Sequence, residues 1–228
     1  MKGKNIKNES FPSIEVIDLF CGIGGLSFGM KSKGFNILAG YDLDATCRYA
    51  YETNNNAKFI YKDIKTVSPD EIRTAYGKGS IRVLAGCAPC QPFSSYAFKN
   101  KKKDPNKYDL LYEFGRLVKA VHPDIVTMEN VAQILSFKEK PVLSDFENLL
   151  KNEGYHVWVN PVYCPDYGIP QTRKRLVLLA SRLGNIELIN PTHKPNEYKT
   201  VKETIGDLPE LKAGETDKND PLHRAKAL

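Results

Sequence analysis

The sequence predicts an α/β fold, a mostly parallel, doubly wound sheet with helices on both faces. Three observations predict it. Short apolar runs recur along the chain, amphipathic stretches lie between them, and the runs are apolar throughout rather than at alternate positions. A strand covered by helices on both sides reads this way because both of its faces are buried. Strand and helix in alternation imply parallel neighbours joined by right-handed crossovers.

The strands come in order. Ile14 to Phe20 (IEVIDLF) is the first, followed by Asn36 to Tyr41 (NILAGY), Ile81 to Gly86 (IRVLAG), Asp124 to Met128 (DIVTM) and Leu176 to Ala180 (LVLLA). A helix is expected from Leu26, directly after a glycine-rich turn. The clearest helical pattern runs from Asp109 to Val121, with Leu110, Leu111, Phe114, Leu117, Val118 and Val121 on one face. A second covers Leu143 to Asn152, with Leu143, Phe146, Leu149 and Leu150 apolar and Gly154 just past its end. Two segments break the alternation. Lys99 to Lys107 holds five lysines and one aspartate and reads as a solvated loop. From Thr192 to Leu228 the periodicity fades into Lys, Pro, Asp and Glu, with a short apolar patch at Ile205 to Leu211. The expected division is a flexible segment over 1–13, an α/β domain over 14–190 and, over 191–228, a linker or the opening of a further region.

Composition bounds the function. The chain has 228 residues, 41% hydrophobic and 26% charged, with a net charge of +6. This is the profile of a folded globular chain, not a disordered one. No apolar run approaches the roughly 20 residues that span a bilayer. The first ten residues lack the apolar core of a signal peptide. Five cysteines without scaffold density point to a reducing, cytoplasmic setting. The basic pI of 8.9 permits nucleic acid as a partner.

Four clusters carry the chemistry. The first is Asp18-Leu19-Phe20-Cys21-Gly22-Ile23-Gly24-Gly25, a strand running into a glycine turn where backbone can approach a ligand closely. Its spacing departs from G-x-G-x-x-G because Ser27 takes the third glycine's place, which weakens the case for NAD. Asp42, about 20 residues on, stands where a ribose is gripped through its hydroxyls. A plain helix N-cap is the alternative for Asp42, and the preceding turn favours the ribose. The second cluster is Gly86-Cys87-Ala88-Pro89-Cys90-Gln91, on the same carboxyl edge of the sheet. Cys87 and Cys90 could form a redox pair, or one could be a lone nucleophile. A redox C-x-x-C usually leads straight into a helix, whereas Pro92 and a polar loop follow here, so Cys90 is favoured as a lone nucleophile. A buried structural thiol suits Cys47 and Cys164 better. The third cluster is Glu129-Asn130-Val131, directly after a strand, where a carboxyl group needs a partner or a task. The fourth is Gln171-Thr172-Arg173-Lys174-Arg175, read as opening the last strand with Gln171, Arg173 and Arg175 on one face. Arginines in such a place hold carboxylates, phosphates or carbonyl oxygens, although a solvated charged edge is their usual fate.

Taken together and in this order, the four clusters resemble the bacterial DNA (cytosine-5)-methyltransferases of restriction–modification systems. The similarity runs over roughly residues 14 to 181. It implies the Rossmann-like fold of S-adenosylmethionine-dependent methyltransferases and double-stranded DNA as substrate. It implies Cys90 as the nucleophile, Glu129 as the group facing the cytosine ring, Arg173 on its O2 carbonyl and Arg175 as a positioning group. S-adenosylmethionine, with S-adenosylhomocysteine as product, is expected at Phe20, Gly22, Ile23, Gly24, Gly25, Leu26, Asp42, Leu43, Asp63, Ile64, Gly86 and Leu110. No metal and no membrane are expected. That family continues past the arginine motif into a target-recognition domain. Val201 to Leu211 and Asp220 to Ala225 resemble the run-in to it, so a second subunit carrying that domain is an expected partner. Two rival classes remain beside this reading. One is an oxidoreductase built on Cys87 and Cys90. The other is a non-catalytic or incomplete subunit of the same fold.

Overall fold

The computed structural model describes residues 12–89, 109–136, 141–220 and 224–225. Among these lie two compact units, Met1–Val162 with Lys174–Ile189, and Tyr163–Arg173 with Asn190–Leu228.

The first unit is built on the sheet. Its strands are β1 (Ile14–Leu19), β2 (Asn36–Asp42), β3 (Lys58–Tyr61), β4 (Ile81–Gly86), β5 (Ile125–Val131), β6 (His156–Tyr163) and β7 (Lys174–Ser181), in the spatial order β3-β2-β1-β4-β5-β7-β6. β1 pairs in parallel with β2 and β4, β2 with β3, and β4 with β5. β7 runs antiparallel to β5. The strand order reverses at β1 and β4, and in open α/β sheets the ligand crevice lies outside the carboxyl ends of such a pair.

Helices α1 (Gly25–Lys31), α2 (Arg48–Asn55), α3 (Pro69–Ala75), α4 (Asp109–Val121) and α5 (Val142–Asn152) cover the sheet. Alternate residues of β1 explain how. Val16 joins a cluster with Ile37, Tyr51, Phe59 and Val83, against which Leu26 and Met30 pack. Ile17 and Leu19 face the opposite cluster, with Ile72, Leu111, Phe114, Leu117 and Phe146. The apolar face expected of α4 is real: Leu111, Phe114, Leu117, Val118 and Val121 are all buried. Burying such a side chain stabilises by about 1.5–3 kcal/mol. Gly154 follows α5 at φ 83, a left-handed position that glycine adopts without strain.

Several elements differ from the sequence reading. β3 and β6, the two edge strands, were not foreseen. β3 is only four residues long, and β6 carries Pro161, which a central strand excludes and an edge strand tolerates. β5 extends through Val131, so Glu129-Asn130-Val131 lies inside the strand rather than after it.

The second unit has little regular structure. Asp166 organises part of it: its carbonyl accepts from the amides of Thr192 (2.9 Å) and His193 (3.0 Å), and its carboxylate accepts from the Tyr198 hydroxyl. A short helix α6 (Val201–Ile205) opens on a capping box in which Thr200 and Glu203 exchange side-chain and backbone hydrogen bonds. Val201, Ile205 and Leu208 are exposed. Among the described residues, no helix is long and apolar enough to cross a membrane.

Candidate active site

The carboxyl ends of β1, β2, β4 and β5 bring three of the four clusters to one edge. β1 leaves the sheet at Phe20, which adopts φ 57, and the turn continues through Gly22 at φ 50 and Gly24 at φ 86. Side chains other than glycine adopt such angles at a cost. The turn is braced from inside. A methyl at Gly24 would come within 2.2 Å of Asn55 Nδ2 and 2.7 Å of Tyr51 Cδ2. At Gly22 and Gly25 a methyl would meet nothing within 4 Å, so the outer side of the turn is open. A nucleoside cofactor fits a turn of this kind, closed behind and open in front.

Asp42 ends β2 beside it. Its Oδ2 accepts from the Gly22 amide at 2.8 Å and its Oδ1 from the Asp44 amide at 2.9 Å. The helix-capping role weighed for Asp42 belongs to Asp44, whose carboxylate accepts from the Thr46 amide at 3.0 Å. Leu43 and Ile23 are exposed, open to a ligand face. Asp63 caps a short 3-10 turn through the Lys65 amide, and Ile64 turns its side chain into the core at 3% exposure. The Ile64 side chain is therefore not available to a ligand. Gly86 has a packing reason of its own, because a methyl there would stand 3.1 Å from Phe114 Cε1. Phe20, Leu26 and Leu110 are half-buried.

The second cluster is tied to its neighbours on both sides. The Cys87 amide donates to the Leu19 carbonyl at 3.2 Å, and Asn130 Nδ2 donates to the Ala88 carbonyl at 3.2 Å. Asn130 is itself buried at 3% exposure, so this bond forms out of water. Cys90 and Lys99 to Lys107 lie outside the described residues. Glu129 is half-exposed, and its Oε1 pairs with Arg175 Nε at 2.7 Å across β5 and β7. Of Gln171, Arg173 and Arg175, expected on one face of the last strand, only Arg175 lies in it. β7 begins at Lys174, and Arg173 stands before it in a turn where its amide donates to the Gln171 carbonyl at 2.8 Å. Arg173 belongs to the second unit and is exposed. Among the described residues the buried thiol is Cys21, at 8% exposure, whereas Cys47 and Cys164 are half-buried, which corrects the sequence assignment. Burial, with Asp18 and Asp42 nearby, raises the Cys21 pKa and keeps it a neutral thiol.

Sequence reasoning missed one group behind the turn. Asp18 is buried at 1% exposure, and its Oδ2 accepts from Ser27 Oγ at 2.6 Å. Ser27 Oγ lies 3.1 Å from the Tyr51 hydroxyl, and Asn55 Nδ2 donates to the Gly24 carbonyl at 3.3 Å. The signal was present in the sequence as the serine standing at the third glycine position. Its hydroxyl needs an acceptor inside the fold, and Asp18 supplies it. Among the described residues, no group of three His, Cys, Asp or Glu could hold a metal ion.

Over residues 14–226 the chain matches the family of C-5 cytosine-specific DNA methylases. It is 46% identical over 213 residues to the Type II methylase M.HgiDII of Herpetosiphon aurantiacus, covering 93% of this chain and 60% of that protein. It is 34% identical over 211 residues to the Type II methyltransferase M.DdeI of Desulfomicrobium norvegicum, covering 89% of this chain and 50% of the relative. The chain therefore spans about half to three fifths of these relatives' lengths. Among solved structures, a prophage-encoded E. coli protein described as a DNA modification methyltransferase aligns at TM-score 0.74 and 25% identity, over 90% of this chain and 57% of that one. The Dnmt2 methyltransferase of S. pombe aligns at TM-score 0.61 and 19% identity, over 77% of this chain and 52% of that one, a likeness of fold.

Proposed function

The chain belongs to the family of C-5 cytosine-specific DNA methylases, and we propose that it carries the catalytic half of an enzyme methylating C5 of cytosine in duplex DNA within a restriction–modification system. The observation that carries this reading is the Asn130 side chain bonded to the Ala88 carbonyl. It locks the strand bearing Glu129 to the turn that leads into Cys90, beside the glycine turn.

S-adenosylmethionine, when bound, supplies a methyl group on a positively charged sulfur. The turn from Phe20 to Leu26 would hold it, with Asp42 at the ribose hydroxyls, Leu43 against the adenine, Asp63 and the Ile64 backbone at the adenine edge, and Gly86 and Leu110 lining the remainder. Cytosine C5 is too weak a nucleophile to react unaided. The Cys90 thiolate adds to C6, and the electron pair of the C5–C6 double bond becomes available at C5. Glu129 hydrogen-bonds the ring N3 and the exocyclic amine as charge develops there. Arg173 takes the O2 carbonyl, and Arg175, held 2.7 Å from Glu129, fixes that carboxylate's direction. Once C5 carries the methyl, a base removes its proton and the C6–sulfur bond breaks, returning the thiolate. The base must leave the duplex stack for any of this to occur, at a cost of a few kcal/mol.

Duplex DNA carrying 5-fluorocytosine at the target tests the covalent step, because fluorine cannot leave as a proton does. The expected outcome is an adduct in wild type and in Cys87→Ser, and none in Cys90→Ser. An adduct lost in Cys87→Ser and kept in Cys90→Ser moves the nucleophile to Cys87. A second reading follows from the relatives' greater length, in which this chain acts only together with a polypeptide bearing the target-recognition region. The trap is therefore run with and without that polypeptide.

A further inference from the structure

Behind the glycine turn lies a buried polar group that the methyl-transfer chemistry does not use. Asp18 is 1% exposed, yet its Oδ1 has no hydrogen-bond partner, and neither does Asn55 Oδ1. Buried carboxylate oxygens are normally satisfied, and leaving one bare is costly. The other oxygen, Oδ2, binds Ser27, the third residue of α1, which Tyr51 of α2 also approaches. The Tyr51 ring fills the space behind both Gly24 and Gly40, where a methyl would come within 2.7 and 2.3 Å of it. Strand, turn and two helices thus meet at one carboxyl group. On the reading of the turn as the S-adenosylmethionine site, we propose that Asp18 is a positioning residue whose ionisation, relayed through Ser27 and Tyr51, sets how tightly the turn from Phe20 to Gly24 holds the cofactor.

An ionised Asp18 makes a charge-assisted bond to Ser27, about twice as strong as a neutral one, and so draws the first turn of α1 onto β1. Protonation weakens that bond and lets the turn relax. The titratable groups facing Asp18 are Asp42 from the end of β2, Cys21 from the turn and Tyr51 from α2. The register partner on β4, Ala85, carries no charge. Burial is the main cause lifting the Asp18 pKa to about 6; the Ser27 hydroxyl lowers it and Asp42 raises it. Cys21 and Tyr51 are raised by burial and stay neutral at these pH values. The switch therefore operates around pH 6.

The test is calorimetric titration of the whole 228-residue chain with S-adenosylhomocysteine between pH 5 and 8, with the ligand-free thermal midpoint measured alongside. Wild-type affinity is expected to rise roughly three- to tenfold with pH. In Asp18→Asn the affinity is expected to be flat across that range and to match the low-pH wild type. Tyr51→Phe keeps the ring and loses only the hydroxyl. It is expected to bind several-fold more weakly while its midpoint moves by less than about 4 °C. Wild-type affinity that is flat with pH, or a slope that survives in Asp18→Asn, overturns the proposal alone. A midpoint lowered in the variants with affinity unchanged makes Asp18 merely structural and also overturns it. If the wild type binds no S-adenosylhomocysteine at any pH, the cofactor reading falls and takes this proposal with it.

Discussion

Asp42 holds two backbone amides, one on each carboxylate oxygen, and is half-exposed beside the glycine turn. Removing it should therefore cost twice, once in the turn's geometry and once at the ribose. Asp42→Ala is expected to weaken S-adenosylhomocysteine binding by roughly tenfold or more, since hydrogen bonds to charged groups contribute about 1.5–3 kcal/mol. Calorimetry reads this directly, and unchanged affinity would refute the ribose assignment. Asp18 gives a prediction of stability rather than binding. Its folded pKa of about 6 lies above the ordinary 3.8, so the folded state favours the protonated form. The ionised form costs up to about 3 kcal/mol above pH 6, and the cost fades as pH falls through 6 toward 3.8. Relative to Asp18→Asn, the wild type is expected to gain roughly 1 kcal/mol between pH 8 and pH 5 in urea unfolding. An equal pH response in the two proteins would mean that Asp18 stays ionised. The residues differ in how readable they were. Glycines at a strand end and an aspartate one strand later announce themselves by spacing. The bond from Asp18 to Ser27 does not, because a buried polar contact follows no period. The buried-thiol assignment to Cys47 and Cys164 failed for a related reason, since nothing local marks the turn cysteine Cys21 as more enclosed than either.

At the scale of elements, the strands that were legible are those buried on both faces. β1, β2, β4, β5 and β7 are the five apolar runs, and α4 spans the very residues its apolar face marked. The edge strands were illegible because one side of each has no strand neighbour and its burial is incomplete: β3 has one buried residue and β6 none. The end of β5 was misread because Glu129 and Asn130 are polar, yet pairing with β7 continues through Val131. Tertiary pairing outweighed local polarity there. The consequence is functional, for a carboxylate on a paired strand is held more rigidly than one on a loop. Asn130 is the hinge pin of this arrangement, serving Ala88 through Nδ2 and the Val131 amide through Oδ1. Asn130→Ala leaves the buried Ala88 carbonyl without this donor and is expected to cost about 1–3 kcal/mol in denaturant unfolding. Methyl transfer is expected to fall further than that loss explains, because the segment leading to Cys90 is freed. Asn130→Asp, which keeps the shape and loses the donor, separates the two effects: activity close to wild type in that variant would show that the bond to Ala88 does not position the nucleophile segment.

For the molecule as a whole, the question is what this chain does by itself. The relatives it matches are longer, with 60% and 50% of their lengths covered. On the proposed reading, the three clusters gathered on the sheet edge would supply groups for the cofactor and for the cytosine ring, but reading a DNA sequence needs side chains set into a groove. The net charge of +6 is modest for gripping a duplex through its phosphates. On one side only, such contacts release few counterions, so affinity is expected to be weak and to fall only gently with salt. Val201, Ile205 and Leu208 in the second unit are exposed apolar side chains, a surface that a partner polypeptide can cover. The expected outcome is that the purified chain transfers little tritium from S-adenosylmethionine to DNA. Mixing with a polypeptide that bears a target-recognition region is expected to restore specific methylation. Replacing Val201, Ile205 and Leu208 together by serine is then expected to weaken the mixed complex while leaving S-adenosylhomocysteine binding to the chain alone as it was. Site-specific methylation by the purified chain at ordinary turnover would end the two-polypeptide idea, and restoration unaffected by the triple serine variant would move the docking surface elsewhere.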